Sequence, residues 1–218
     1  MQKNISDSTA GRLPMYYRCL RELIVSDHLR VSSAELGKKL GITPSQVRAD
    51  LASFGRLGQQ GYGYYVKPLY VEISRLLGVG DNMQAIILAS SENGVSALYP
   101  LFEGRGITLR AAFFDMPGCG EKDDGEFPFV YRTERLEEYL DKNQVDIAMV
   151  MPDKSSIHDT AAILEKGGVI GVLNLSNTDM HSDIMKIKNM PIGDVLMSVC
   201  YAVKNKKSKK TETYGSDE

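Results

Sequence analysis

Between Arg30 and Phe54 the apolar positions fall into two short helical stripes separated by a glycine and a proline. Leu36 and Leu40 follow Ser32 and Ser33, so a hydroxyl is placed to cap the free amides of a helix that buries one stripe. Gly41 stands just past that stripe, where a residue tolerant of a left-handed backbone ends a helix. Ile42 can pack beneath the turn and Thr43 can cap the next helix. Pro44 occupies that helix's first position, where a missing amide proton costs nothing. This second helix is expected over Pro44 to Phe54, with Val47, Leu51 and Phe54 inward and Ser45, Gln46, Arg48, Ala49 and Ser53 largely elsewhere. Gly55, Gly58, Gly61 and Gly63 then interleave with Tyr62, Tyr64 and Tyr65, a composition of tight turns and short strands. Two short helices at a sharp turn followed by such strands make a winged helix-turn-helix. Its second helix would offer its exposed start to a DNA major groove, with the wing beside the backbone.

The pattern changes after residue 79. Ala85–Leu88, Leu109–Phe114, Asp146–Met151 and Val169–Leu175 are short apolar runs, the mark of strands covered on both faces. Helical patterns near Gly94–Glu103, Glu134–Asn143 and Lys154–Lys166 lie between them, which predicts an α/β domain with a doubly wound parallel sheet. Pro68–Leu77, with Leu69, Ile73, Leu76 and Leu77 on one stripe, is expected as a helix linking the halves. Met190–Val203 reads as a last apolar helix opened by Pro191. Lys204–Glu218 carries five lysines and no core face, so residues 205–218 are expected as a disordered polar tail. The organisation is therefore 1–79, 80–204 and this tail.

Charge sharpens the division. Residues 1–79 hold 11 Lys and Arg against 6 Asp and Glu, whereas residues 80–218 hold 15 against 22. The overall −2 hides a basic front of the kind that binds phosphates by counterion release. Cys19, Cys119 and Cys200 are widely spaced and odd in number, with no metal-binding spacing, and neither a secretory leader nor a membrane-length apolar run is present. A reducing cytoplasm, no structural metal and no membrane association are the expectation. His28, His158 and His181 lack partners at ligand spacing, and no nucleophile elbow or Walker loop occurs, so the chain is not expected to be an enzyme.

One ligand site is suggested by position. A Gly-rich turn after the first strand of a Rossmann domain brings backbone amides to a pyrophosphate at a helix N-terminus. Here the stretch is Leu88-Ala89-Ser90-Ser91-Glu92-Asn93-Gly94. The three glycine positions fall on Leu88, Ser90 and Asn93, or on Ala89, Ser91 and Gly94, according to register. Serine hydroxyls can donate to phosphate, while a Cβ at the second position and the charge of Glu92 oppose it. Asp115 ends the second strand where an acid accepts hydrogen bonds from a ribose.

Taken together, RLPMYYR (12–18), VRADLASFG (47–55), GQQGYGY (58–64), FFD (113–115), MP (151–152) and GVLNL (171–175) resemble, in order, segments of Rex, the bacterial redox-sensing transcriptional repressors. The resemblance spans Arg12 to Val203. It implies a homodimer of winged-helix and Rossmann domains with the C-terminal helix swapped onto the partner. It also implies binding to a palindromic operator under NAD+ and release under NADH. Arg18 and Tyr99 match residues of the interdomain switch. Departures are Ala49 and Gln60, where the family carries cations near DNA, and Pro191, where an acid is usual and Asp194 lies one turn away.

The candidate DNA contacts are thus Arg12, Ser45, Gln46, Arg48, Ser53, Arg56, Gln60 and Tyr62. The candidate NAD(H) contacts are Ala89, Ser90, Ser91, Asn93, Gly94, Asp115, Met151 and Pro152. Three alternatives stand beside the redox repressor: a regulator that has lost or changed its nucleotide, an adaptor holding a protein partner, and a Rossmann oxidoreductase. The last lacks any His, Lys or Tyr-Lys constellation facing a nicotinamide.

Overall fold

The computed structural model describes residues 5–52, 54, 58–59, 62–114, 129–151 and 157–214. They fall into two compact units, Met1–Asp81 and Asn82–Glu218.

The first unit runs α1 (Asp7–Ala10), α2 (Leu13–Val25), β1 (Arg30–Val31), α3 (Ser33–Leu40), α4 (Pro44–Ala52), β2 (Gly58–Gln59), β3 (Gly63–Tyr65) and α5 (Val66–Leu76). Its three strands pair antiparallel in the order β1-β3-β2. Helix α3 opens on a complete capping box: Glu35 N–H donates to Ser32 Oγ, and Ser32 N–H donates to the Glu35 carboxylate. Such a cap contributes about 1 kcal/mol. Gly41 ends the helix at φ 69°. Helix α4 is described over Pro44–Ala52, and Phe54, expected as its last residue, lies in a turn with its amide donating to Leu51 O at 3.1 Å. Phe54 still fills the core, with Tyr16, Leu20, Leu36, Val47, Leu51, Leu69 and Ile73. Helix α5 starts two residues ahead of Pro68. Proline is tolerated there because first-turn amides have no partner inside the helix.

The second unit runs β4 (Met83–Ala89), α6 (Glu92–Leu98) with a 3-10 turn over Tyr99–Leu101, β5 (Ile107–Phe113), β6 (Phe129–Tyr131), α7 (Leu136–Lys142) entered through a 3-10 turn, β7 (Ile147–Met151), α8 (Ile157–Lys166), β8 (Gly171–Asn174), β9 (Lys186–Asn189) and α9 (Ile192–Tyr214). All six strands pair in parallel, in the order β6-β5-β4-β7-β8-β9, which is the Rossmann order. Four of them lie where the apolar runs predict. The edges, β6 and β9, do not. Lys186-Ile187-Lys188-Asn189 alternates charge with apolar character, as an exposed edge does, so it lacks a continuous run.

Two apolar clusters cover the sheet. One holds α7 and α8 through Leu136, Leu140 and Leu164, and the other holds α6 through Val95 and Leu98. Helix α9 differs from expectation: it continues past Lys204 to Tyr214, into the segment read as a disordered tail. Residues 194–214 contain no glycine or proline to stop it, and lysine is a good helix former. Val195, Leu196, Met197, Val199, Tyr201 and Val203 are exposed along it.

Candidate functional site

The start of α4 is built for presentation. Thr43 Oγ accepts the Gln46 amide at 3.1 Å, capping the helix. Arg48, one turn in, is exposed, and its guanidinium donates to Ser33 Oγ at 3.1 Å and Ser45 Oγ at 3.0 Å. Both hydroxyls are neutral, so the charge stays available while its direction is restrained. Ser45 and Gln46 flank it on the exposed surface.

Val47, Asp50, Leu51 and Phe54 follow the i, i+3, i+4, i+7 rule, which puts a carboxylate on the inward stripe. Asp50 is 1% exposed. Arg12 Nε and Nη2 meet its two oxygens at 2.7 and 2.6 Å, Tyr16 OH donates at 3.0 Å, Thr9 Oγ1 at 3.2 Å and Gln46 Nε2 at 2.9 Å. Burial works to raise the Asp50 pKa, but the bonds from Arg12, Gln46 and Tyr16 outweigh it and hold the carboxyl below its ordinary range. Arg12 is driven more basic by its bond to Asp50, and burial, seconded by Asp50, pushes the Tyr16 phenol up. Arg12, expected to contact DNA, is therefore the internal counter-ion that fixes α4 on α2. A charge on the buried stripe is the signal that would have revealed the pair.

Arg30 was not among the residues expected in the DNA face. It projects from β1 beside the wing, with its guanidinium 5.5 Å from the Tyr62 ring centre and 4.4 Å from that of Tyr65, and it donates to the Tyr65 hydroxyl. Tyr62 and Tyr65 are both exposed. Their arginine is a cation held by aromatic faces, with no acid among these contacts. Its sequence position, six residues before Leu36 of α3, carries no periodic signal. Ser53, Arg56 and Gln60 lie outside the described residues.

In the second unit the strand order reverses between β4 and β7, the switch point at which such sheets take ligands beyond their carboxyl ends. Ala89, last in β4, pairs with Met151, last in β7. Ser91 caps α6, its Oγ accepting the Gly94 amide at 3.3 Å. A Cβ on Gly94 would stand 3.0 Å from Met151 Cε and 3.3 Å from Ala89 Cβ. Gly94 thus performs the close helix-to-strand packing of the third fingerprint glycine, which selects the register Ala89, Ser91, Gly94. Ser91, at the second position, has φ −166° and ψ 162°, an extended backbone that any residue adopts. The missing glycine therefore costs no strain there. Ser90 and Asn93 are exposed on the same turn. Ala89, Ser90, Ser91, Asn93, Gly94 and Met151 thus lie together, and serine hydroxyls with the first α6 amides suit a pyrophosphate. Asp115 and Pro152 lie outside the described residues.

At the same carboxyl edge Asn174 is fully buried, accepting from Ser176 N and Oγ at 3.1 and 2.7 Å and donating to Thr178 O and Asn189 Oδ1 at 2.8 Å each. This network folds the loop after β8. Tyr99 is not part of the turn: it follows α6 at the other end of the sheet, beside the start of β5 in a cavity of about 280 Å³ with Phe102, Ile107 and Leu109. Arg18 is exposed on α2. Among the described residues no group of three His, Cys, Asp or Glu side chains could hold a metal ion, and no helix is long and apolar enough to cross a membrane.

Comparison with known proteins matches residues 4–52 to a family model described as the N-terminus of putative DNA-binding proteins. The chain is 36% identical over 205 residues to the redox-sensing transcriptional repressor Rex of Clostridium novyi, covering 92% of this chain and 96% of that one. It is also 36% identical over 202 residues to Rex of Caldanaerobacter subterraneus, covering 90% and 88%. Among solved structures, that of RSP in complex with β-NAD+ and operator DNA superposes with TM-score 0.83 at 32% identity, covering 100% of both chains. RSP in complex with β-NADH gives TM-score 0.80 at 30% identity, covering 95% of this chain and 98% of that one.

Proposed function

The chain belongs to the Rex family of redox-sensing transcriptional repressors, and we propose that it reads an operator with α4 and the wing and couples that reading to NAD(H) at the β4–α6 turn. The observation that carries this is the coexistence of two built features on one polypeptide: an exposed Arg48 aimed by two serines, and a serine-capped turn at the switch point of a Rossmann-ordered sheet.

In this reading Arg48 makes the groove contact, with Ser45 and Gln46 beside it and Arg30 and Tyr62 on the phosphates. Arg12 acts through Asp50 as a positioning residue. Ser90, Ser91 and the α6 amides hold the pyrophosphate, and Ala89, Gly94 and Met151 shape the crevice. NAD(H) supplies the redox signal as ligand. The chain's own work is to bind the two oxidation states unequally, because equal affinity for both would shift no conformational equilibrium. Each tenfold change in operator affinity needs about 1.4 kcal/mol of that difference.

The exposed apolar side of α9 supports a homodimer, and two copies suit an inverted-repeat operator. Arg18 and Tyr99 serve the NADH-linked switch. The protein acts as a cytoplasmic regulator and not as an enzyme. Calorimetric titration of nucleotide-stripped protein tests the ligand: saturable NADH binding tighter than NAD+ is expected, and absence of heat with both would leave a DNA reader without this signal.

A further inference from the structure

A second cluster of cations lies away from the nucleotide turn. Strand β5 carries a bulge: Ala85 pairs with Leu109 and Ile86 with Ala111, so Arg110 is the extra residue. Leu109 packs in the α6 cluster and Ala111 in the α7 cluster. Arg110 follows Leu109 onto the α7 side, and the bulge keeps Ala111 on that side as well, where regular alternation would have returned it to the α6 side. On the α7 side Arg110 lines a cavity of about 220 Å³ with Tyr131, Arg135, Glu138, Tyr139, Lys142 and Asn143.

The lining is cationic and partly aromatic. Arg110 and Tyr139 line the cavity side by side. Arg135 stands over the Tyr131 ring at 5.3 Å and shares Glu138 with Lys142, at 3.6 and 2.6 Å. Glu138 thus pairs with both Arg135 and Lys142, and the lining side chains carry three cations and one carboxylate. Tyr131, Tyr139 and Phe113 pack ring to ring at 5.3 to 5.7 Å, giving a firm wall. Arginine forks match carboxylate and phosphate oxygens in pairs. The volume is below the ~300 Å³ at which pockets for drug-sized ligands begin, so it suits a small ion.

We infer that this cavity on the α7 face is a second ligand site, for a small oxyanion of two or more negative charges such as a pyrophosphate or a tricarboxylate. It lies on the opposite sheet face from α6 and does not depend on NAD(H) occupying the turn. Arg110 provides the fork, Lys142 and Arg135 turn from Glu138 to the incoming anion, and Tyr139 adds a hydroxyl.

The test is titration of the full chain with pyrophosphate and with citrate, each with and without saturating NADH, at one ionic strength. Three proteins are compared: wild type, Arg110→Gln, and Lys186→Gln/Lys188→Gln, which removes two charges from the opposite sheet edge. Saturable binding of either anion that persists under NADH, weakens at least tenfold in Arg110→Gln and is kept by the β9 variant is expected. The anion that binds distinguishes phosphate from carboxylate recognition. No saturable binding, equal loss in both variants, or displacement by NADH would each overturn the site. Arg110→Lys separates folding from recognition: it keeps the charge but not the fork, so the expected result is a wild-type melting temperature with weakened binding.

Discussion

Arg12 holds Asp50 with two hydrogen bonds of 2.6 and 2.7 Å, and the carboxylate they secure is 1% exposed on the inner side of the helix that carries Arg48. The orientation of α4 therefore rests on an ion pair reaching back to the N-cap of α2. Removing Arg12 leaves the buried carboxylate without its counter-ion, and removing Asp50 leaves the buried Tyr16 hydroxyl without its acceptor, so either loss costs more than the pair contributes.

Asp50→Ala is expected to destabilise the first unit by about 3 kcal/mol, measured from the denaturant midpoint. Arg12→Ala should do nearly as much and weaken operator binding without contacting DNA. A lost DNA affinity with unchanged stability would instead make Arg12 a direct contact.

Acid should act through the same carboxylate. Its folded pKa lies below the unfolded value, so its stabilisation is present above an unfolded pKa of ~3.9 and is lost as pH falls through the folded value. Acid unfolding monitored by circular dichroism should show this component in wild type and lack it in Asp50→Asn. Identical acid limbs for the two proteins would contradict it.

Arg48→Ala should leave stability within about 0.5 kcal/mol, since the side chain is exposed, and should weaken specific operator binding by about 1–3 kcal/mol. Arg30→Ala should weaken binding across sequences and reduce the salt slope by about one. Binding isotherms at several salt concentrations separate the two behaviours.

Much of this was legible in the residues. Capping serines, Gly41 and Pro44 fixed α3 and the start of α4 because each acts within one helical turn. The four central strands announced themselves as apolar runs because both faces are covered. The edge strands escaped because β9 alternates like any half-exposed segment. At the site, the register of the nucleotide turn could not be chosen from spacing alone. It needed the distance from Gly94 to Met151, residues far apart in sequence. The Arg12–Asp50 pair and the Arg30 cluster escaped for the same reason: the partners, Asp50, Tyr62 and Tyr65, come from other elements.

Gly94→Val tests the turn. A branched side chain must displace Met151 and Ala89 where a Cβ alone already stands at 3.0 and 3.3 Å. NADH affinity is expected to fall at least tenfold, with operator binding retained. Unchanged NADH affinity would remove the turn from the site.

The apolar side of α9 should lose its role when charged. Leu196→Glu/Val199→Glu is expected to shift the protein to monomers in light scattering and to weaken binding to an inverted-repeat operator far more than to a half-site. A dimer that survives the double change would place the interface elsewhere.

The central claim is that one chain converts nucleotide redox state into operator occupancy. Its most direct test is fluorescence anisotropy of a labelled inverted-repeat operator held by the protein, titrated with NADH and, separately, with NAD+. Release by NADH with the complex kept under NAD+ is the expected result. An anisotropy that stays constant under both, with the protein still bound, would contradict the coupling.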